Sequence, residues 1–188
     1  MSGISDPDVL DRLAVIGLGS NLAGSYSSRE ALLEAALATF ASLGIKIRAR
    51  SSWWSSAAWP DPTRPEYLNA VALVETEASP TALLSLLMKL ERHFGRRRDE
   101  RHADRTLDLD LIAYGRERLD DADLVLPHPR ASERGFVMGP LAEIAPAWRH
   151  PVTGETALAL ALRATVGADA GAVTQVPVAL HNGPHVAI

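Results

Sequence analysis

Thr106-Leu107-Asp108-Leu109-Asp110-Leu111-Ile112-Ala113-Tyr114 alternates leucine with aspartate and then turns apolar. Alternation with a period of two is the pattern of a strand that buries one face. Leu107, Leu109 and Leu111 point into a core, and Asp108 and Asp110 point the other way. Upstream of it, three more strands and two helices are legible. Residues 13–19, Leu-Ala-Val-Ile-Gly-Leu-Gly, read as a buried strand running into a glycine turn. A helix is expected from about Ser28 to Leu43, with Leu32, Leu33, Ala36, Leu37 and Phe40 on one face and Gly44 as its C-cap. Ile45 to about Ser56 reads as a second strand. Pro60, Pro62 and Pro65 make the next stretch a loop, and residues 67–74 form a third strand. Ser79-Pro80 supplies an N-cap and a first-turn proline for a second helix, whose stripe is Leu83, Leu87, Leu90 and Phe94 and which Gly95 ends.

Strand, helix, strand, strand, helix, strand is the split βαβ order. It predicts an α+β fold with a ferredoxin-like βαββαβ core, an antiparallel sheet carrying helices on one face. Residues 124–138 read as loop, turn and the start of a helix, and residues 156–165 as a short amphipathic helix. From Val166 the chain is rich in Ala, Gly and Val, as in a loosely attached tail. The expected layout is a lead-in over 1–12, one domain over 13–165 and a C-terminal extension over 166–188.

The chain has 188 residues, 47% of them hydrophobic and 22% charged. A chain of that size can bury about 70% of its unfolded surface, so it supports a core without staples. The apolar content excludes a disordered chain. No run approaches the roughly 18 apolar residues of a membrane span. With no cysteine, disulfides, thiolate zinc sites, iron–sulfur clusters and a cysteine nucleophile are excluded. Residues 1–8 lack the basic and apolar regions of a secretion signal, so the cytoplasm is the expected location. A net charge of −4 argues against broad nucleic-acid binding. Yet Lys89, Arg92, Arg96, Arg97, Arg98, Arg101 and Arg105 crowd into 17 residues of this acidic protein.

Five stretches carry candidate chemistry. Residues 17–24, Gly-Leu-Gly-Ser-Asn-Leu-Ala-Gly, fit neither nucleotide-binding glycine motif: Leu22 stands where a dinucleotide fingerprint needs glycine, and Ser25 where a phosphate loop needs lysine. A tight strand-to-helix turn accounts for them better. Asp108 and Asp110 stand side by side, roughly 7 Å apart along a strand. Like charges that close call for a cation between them, and magnesium suits an all-oxygen site with phosphate partners. The wet face of an amphipathic strand is the alternative. The arginine loop runs straight into those aspartates, which together suggest a polyphosphate clamp. A solvated helix end explains Lys89 and Arg92 but not the continuation to Arg105. His128, between Pro127 and Pro129, is held rigidly enough to meet a phosphate or metal, though a lone histidine need do neither. Tyr67 and Asn69 share a strand face near Trp53, Trp54 and Trp59 and would suit a flat heterocycle, or ordinary packing.

In order and spacing, Gly19-Ser20-Asn21-Leu22, Tyr67-Leu68-Asn69-Ala70, the stretch from Gly95 through Arg105-Thr106-Leu107-Asp108-Leu109-Asp110, Pro127-His128 and Arg134-Gly135-Phe136 resemble the 6-hydroxymethyl-7,8-dihydropterin pyrophosphokinase family. The resemblance runs from about Val15 to Pro146. It implies the same ferredoxin-like fold and transfer of pyrophosphate from ATP to the pterin hydroxymethyl group, with AMP leaving, in folate biosynthesis. It also implies ATP and dihydropterin as substrates and two Mg2+ ions at Asp108 and Asp110; no nucleic-acid or membrane partner is expected, and a monomer is the expected state. By the same resemblance Arg96 and Arg105 are catalytic, and Glu91, Arg98, His102, His128 and Arg134 belong to the ATP site. Ser56, Ala57, Trp59, Tyr67, Asn69 and Phe136 belong to the pterin pocket. The chain departs from the family in two places. His102-Ala103-Asp104 replaces the usual Trp-Gly-Pro before Arg105, in a loop one residue shorter, and Ser56-Ala57-Ala58 replaces Thr-Pro-Pro. A nucleotidyltransferase using Asp108 and Asp110, and a non-catalytic ligand-binding module, are the competing classes. The first would place a Gly-Ser turn near the aspartates, whereas Gly19-Ser20 lies far upstream. The second has no need of paired carboxylates beside an arginine loop.

Overall fold

The computed structural model describes residues 3–58, 61–95 and 106–173. The first apolar run forms the central strand β1 (Ala14–Ser20), preceded by a single helical turn, α1 (Pro7–Leu10). Helix α2 (Arg29–Thr39) starts where the Ser28 side chain accepts the Ala31 N–H at 3.1 Å, and Gly44 closes the following turn at φ +72°. The expected second strand divides into β2 (Lys46–Arg50) and β3 (Trp54–Ser56). Both pair with β4 (Tyr67–Glu75), and the break is bridged at Ser51, whose N–H and hydroxyl both bond Val71 of β4. Helix α3 (Pro80–His93) has Ser79 as its N-cap, as its sequence predicts, and Gly95 follows it at φ +85°. The aspartate strand is β5 (Asp108–Tyr114).

The antiparallel sheet runs β5-β1-β4, with β2 and β3 along the far side of β4. This order interleaves two βαβ units. Alternate residues Ala14, Ile16 and Leu18 of β1, Ala70, Ala72 and Val74 of β4, and Leu109 and Leu111 of β5 meet the apolar stripes of α2 and α3. Leu107, just before β5, joins them. The other face is not open, which corrects the expectation of helices on one face alone. After a small hairpin, β6 (Leu119–Asp120) and β7 (Val125–Leu126), come α4 (Gly135–Ile144) and α5 (Ala157–Arg163). Val137, Met138, Leu141 and Leu160 from these helices cover Val15, Val71, Leu73, Ile112 and Ala113. That second core stops short of one end of the sheet, and the site lies there.

The stretch expected to be a tail is hydrogen-bonded into the domain as far as residue 173. Its strand β8 (Gly171–Ala172) adds to the sheet beside β3.

Candidate active site

Past the end of the second core, one row of residues crosses the sheet. Asp108 stands opposite Gly19, Gly19 opposite Asn69, and Asn69 opposite Trp54. In the row behind, Asp110 stands opposite Gly17 and Gly17 opposite Val71. Strands lie about 4.8 Å apart, so Asn69 and Asp108 face each other across about 10 Å of floor. No side chain of β1 rises from this floor, because Gly17 and Gly19 lie within β1, not in a turn. A Cβ added at Gly19 would touch the Asn69 amide oxygen at 3.5 Å and Asp108 Cβ and Tyr67 Cδ1 at 3.8 Å. The sequence does carry a signal for this floor: two glycines at i and i+2 in a strand mark a close approach of something else to the backbone.

Asp108 and Asp110 are half-buried, as expected of a face turned from the leucine core. β5 holds one residue more than β1 at this point: Val15 pairs with Ala113 but Ile16 pairs with Leu111, so Ile112 bulges. Its carbonyl, out of the ladder, accepts the His128 backbone N–H at 2.8 Å. The bulge thus ties the 127–130 turn, entered through a cis Leu126–Pro127 bond, to the aspartate strand. Burial, and then the cations Arg134 and Arg130, push the His128 pKa down to about 4, against a weaker pull upward from Asp108. The ring is therefore neutral at neutral pH. Its Nδ1 accepts the Arg130 N–H at 3.3 Å, which assigns the ring proton to Nε2 as a donor.

This depressed value predicts a pH dependence. The folded protein refuses a proton that the unfolded chain accepts near 6.5. The stability gained from a neutral His128 is complete above about 6.5 and is lost as pH falls through about 4. Urea unfolding should show wild type losing more stability than His128→Gln between pH 7 and pH 4.5; equal losses would contradict it.

Arg134 reaches Asp110 from the start of α4, with Nη1 3.7 Å from Oδ2. Its guanidinium also lies 5.6 Å from the centre of the Phe136 ring. On the opposite side of the floor, the Asn69 amide donates to the Ser56 hydroxyl at 3.0 Å, both side chains being buried. Tyr67 shares the Asn69 face, over Gly19. Trp54 lies against the backbone of α4 at Gly139, where an added Cβ would come within 2.5 Å of the indole. The indole N–H donates to Glu143 at 2.7 Å, and Ser52 donates twice more to the same carboxylate. Burial raises the Glu143 pKa, but these bonds outweigh it and hold the carboxyl below its usual value. Trp53, by contrast, is a core residue.

Glu91 lies beneath the floor. Its carboxylate, only 2% exposed, accepts the N–H of Leu109, the residue between the two aspartates, at 2.8 Å. A buried acceptor of that kind holds β5 in place from the helical side.

The structure therefore brings Asp108, Asp110, His128, Arg134, Phe136, Tyr67, Asn69, Ser56 and Ala57 around one end of the sheet. Trp59, Arg96, Arg98, His102 and Arg105 lie outside the described residues. Two carboxylates face an amide–aromatic slot, with an arginine and a neutral histidine beside them. Such an arrangement can hold a phosphate chain at one side and a flat ring at the other.

Comparison with known proteins relates the whole domain to one family. A family model described as 7,8-dihydro-6-hydroxymethylpterin-pyrophosphokinase (HPPK) matches residues 15–146. The chain is 43% identical over 148 residues to the 2-amino-4-hydroxy-6-hydroxymethyldihydropteridine pyrophosphokinase of Synechocystis sp., covering 78% of this chain and 73% of that one. It is 41% identical over 133 residues to the protein of the same name from Haemophilus influenzae, covering 70% and 81%. Its fold is similar to Plasmodium falciparum HPPK-DHPS in a crystal structure with pteroate, with a TM-score of 0.60 at 12% identity. That likeness covers 80% of this chain and 42% of the Plasmodium one, so the present chain spans less than half of it. With a family match over most of its length and relatives this similar, the chain belongs to the 7,8-dihydro-6-hydroxymethylpterin-pyrophosphokinase family.

Proposed function

We propose that this chain transfers a pyrophosphoryl group from ATP to the hydroxymethyl oxygen of 6-hydroxymethyl-7,8-dihydropterin in a magnesium-dependent reaction that releases AMP. The observation that carries this is the row Asp108–Gly19–Asn69. It sets a carboxylate pair and a heterocycle-reading amide on one floor, about 10 Å apart. That distance suits a hydroxymethyl group reaching from a ring at Asn69 toward phosphates at the aspartates.

The donors fit magnesium. Two adjacent carboxylates supply oxygen only, and no cluster of three His, Asp or Glu residues surrounds them among the described residues. Most of an octahedral shell is then left for phosphate oxygens and water. Asp108 and Asp110 would hold two ions, whose chemistry when bound is to neutralise phosphate charge and lower the pKa of the attacking hydroxyl.

The chain's own residues do the rest. Asn69, fixed by Ser56, reads the edge of the pterin, and Phe136 and Tyr67 bound its faces. Arg134 and the Nε2 proton of His128 stabilise phosphate oxygens near Asp110 and Asp108. Arg96, Arg98, His102 and Arg105 bring further donors to the transferring group. The assignment of Glu91 to the ATP site rests on the family resemblance; its bond to Leu109 supports a contribution through β5 as well. The protein works as a cytoplasmic monomer, and among the described residues no helix is long and apolar enough to cross a membrane.

Arg96→Ala tests the use of charge in the transition state. Removing a donor that acts there costs on the order of 10²–10³ in kcat. Pterin Kd, measured by calorimetry, should stay within about twofold. A variant that lost pterin binding and kept kcat would reverse the assignment.

A further inference from the structure

The two walls of the pterin pocket come from distant parts of the chain. Ala57 follows β3, and Phe136 opens α4. Residues 165–173, beyond the family match, connect them. The N–H groups of Thr165 and Val166 bond the Glu133 carbonyl at 3.1 and 2.9 Å, and the Gly135 N–H bonds the Val166 carbonyl at 2.8 Å. The chain then passes directly behind Phe136. Gly167 has φ +66°, and a Cβ there would lie 2.4 Å from Phe136 Cδ1. Two residues later Asp169 Oδ2 accepts the Ala57 N–H at 2.6 Å. Beyond that, Gly171 and Ala172 pair with Ser55 and Trp54, and the Val173 N–H bonds the Trp53 carbonyl at 2.7 Å.

These contacts close a circuit. Asp110 meets Arg134, Arg134 meets Phe136, and Phe136 rests on Gly167. Asp169 holds Ala57, whose neighbour Ser56 holds Asn69, and Asn69 faces Asp108 across Gly19.

We infer that residues 165–173 form a strap that sets the width of the pterin slot, with Asp169 as its positioning residue. Ala57 lies just past the end of β3, before the proline-rich loop, and a charged acceptor on its N–H is among the stronger single bonds available to a backbone. Loosening it lets Ala57 and Ser56 move, and Asn69 with them, while the aspartates and the arginine side of the site stay in place. The inference rests on the assignment of the pterin pocket made above.

The test is Asp169→Ala against Asp169→Asn in the full chain; asparagine keeps an oxygen that accepts the Ala57 N–H. Pterin Kd by calorimetry and pterin KM should rise about tenfold in the alanine variant, the loss expected for one charge-assisted bond. Both should return most of the way in the asparagine variant. kcat and the KM for ATP should stay within about twofold, and the Ala57 amide should exchange its hydrogen faster in the alanine variant. A part that is only structural would lower the melting temperature and kcat together without that split. Unchanged pterin affinity in Asp169→Ala, with wild type binding pterin, overturns the strap alone. A wild-type chain that bound no pterin would overturn the pocket assignment and the strap with it.

Discussion

Asp110→Ala should abolish metal-dependent turnover and leave the fold standing. Metal coordination supplies several kcal/mol of transition-state stabilisation, and each 1.36 kcal/mol is tenfold in rate, so the expected loss is at least about 10³ in kcat. Asp108→Ala should lose as much. Stability should hold for Asp110→Ala because the side chain is 41% exposed and points away from the core that Leu109 and Leu111 join. Its ion pair to Arg134 is long, 3.7 Å, and half exposed on the carboxylate side, of a kind worth on the order of 1 kcal/mol. Thermal unfolding and a magnesium titration of turnover check both halves. A folded Asp110→Ala enzyme with full activity would show that the metal site is elsewhere.

Gly19→Val should give the second large effect, and it separates stability from function. The Cβ itself meets nothing closer than 3.5 Å, so the backbone need not move. Valine is favoured in strands where glycine is not. The fold should therefore stand, with strand propensity offsetting part of the crowding against Asn69, Asp108 and Tyr67. The two added methyl groups, however, stand on the floor between Asn69 and Asp108, where in the proposed reaction the pterin hydroxymethyl group meets the phosphates. Turnover should fall by at least about 10²-fold, because a misplacement of even 1 Å costs that much. Gly19→Ala should fall between. A fully active valine variant would mean that catalysis does not take place over this floor.

Much of the architecture was legible because it depends on local rules. Ser79 caps its helix as its sequence predicts, and Ser28 and Thr156, where two other helices were expected to begin, cap theirs; each accepts the N–H three residues on. The alternation at 107–111 put the leucines in the core and both aspartates on the opposite face, as the structure has them. What was not legible depends on partners remote in sequence. Val137, Met138 and Leu141 are buried only because β1, β4 and β5 offer Val15, Val71 and Ile112, so no local pattern announced a covered second face. The interruption between β2 and β3 depends on Ser51 meeting Val71. Residues 166–173 have the weak, small-residue composition of a tail, yet their backbone finds Glu133, Gly135 and Trp53.

The same division runs through the site. Asp108, Asp110, Tyr67 and Asn69 were readable as i, i+2 pairs on strand faces, since the period of a strand places them. Gly17 and Gly19 resemble a turn, because a glycine pair beside Ser20 and Asn21 looks like one; only the register with Asn69 and Asp108 shows them as a floor. The Ile112 bulge that anchors His128 comes from a one-residue mismatch between two strands, which neither strand reveals alone.

The most direct measurement is of product. The protein is mixed with ATP, magnesium and 6-hydroxymethyl-7,8-dihydropterin, and nucleotide products are followed by chromatography. The expected result is AMP in step with pterin consumption, and none when either pterin or magnesium is left out. Release of pyrophosphate in place of AMP would point to nucleotidyl transfer, and bound pterin with no AMP would leave a binding protein; either contradicts the pyrophosphokinase account.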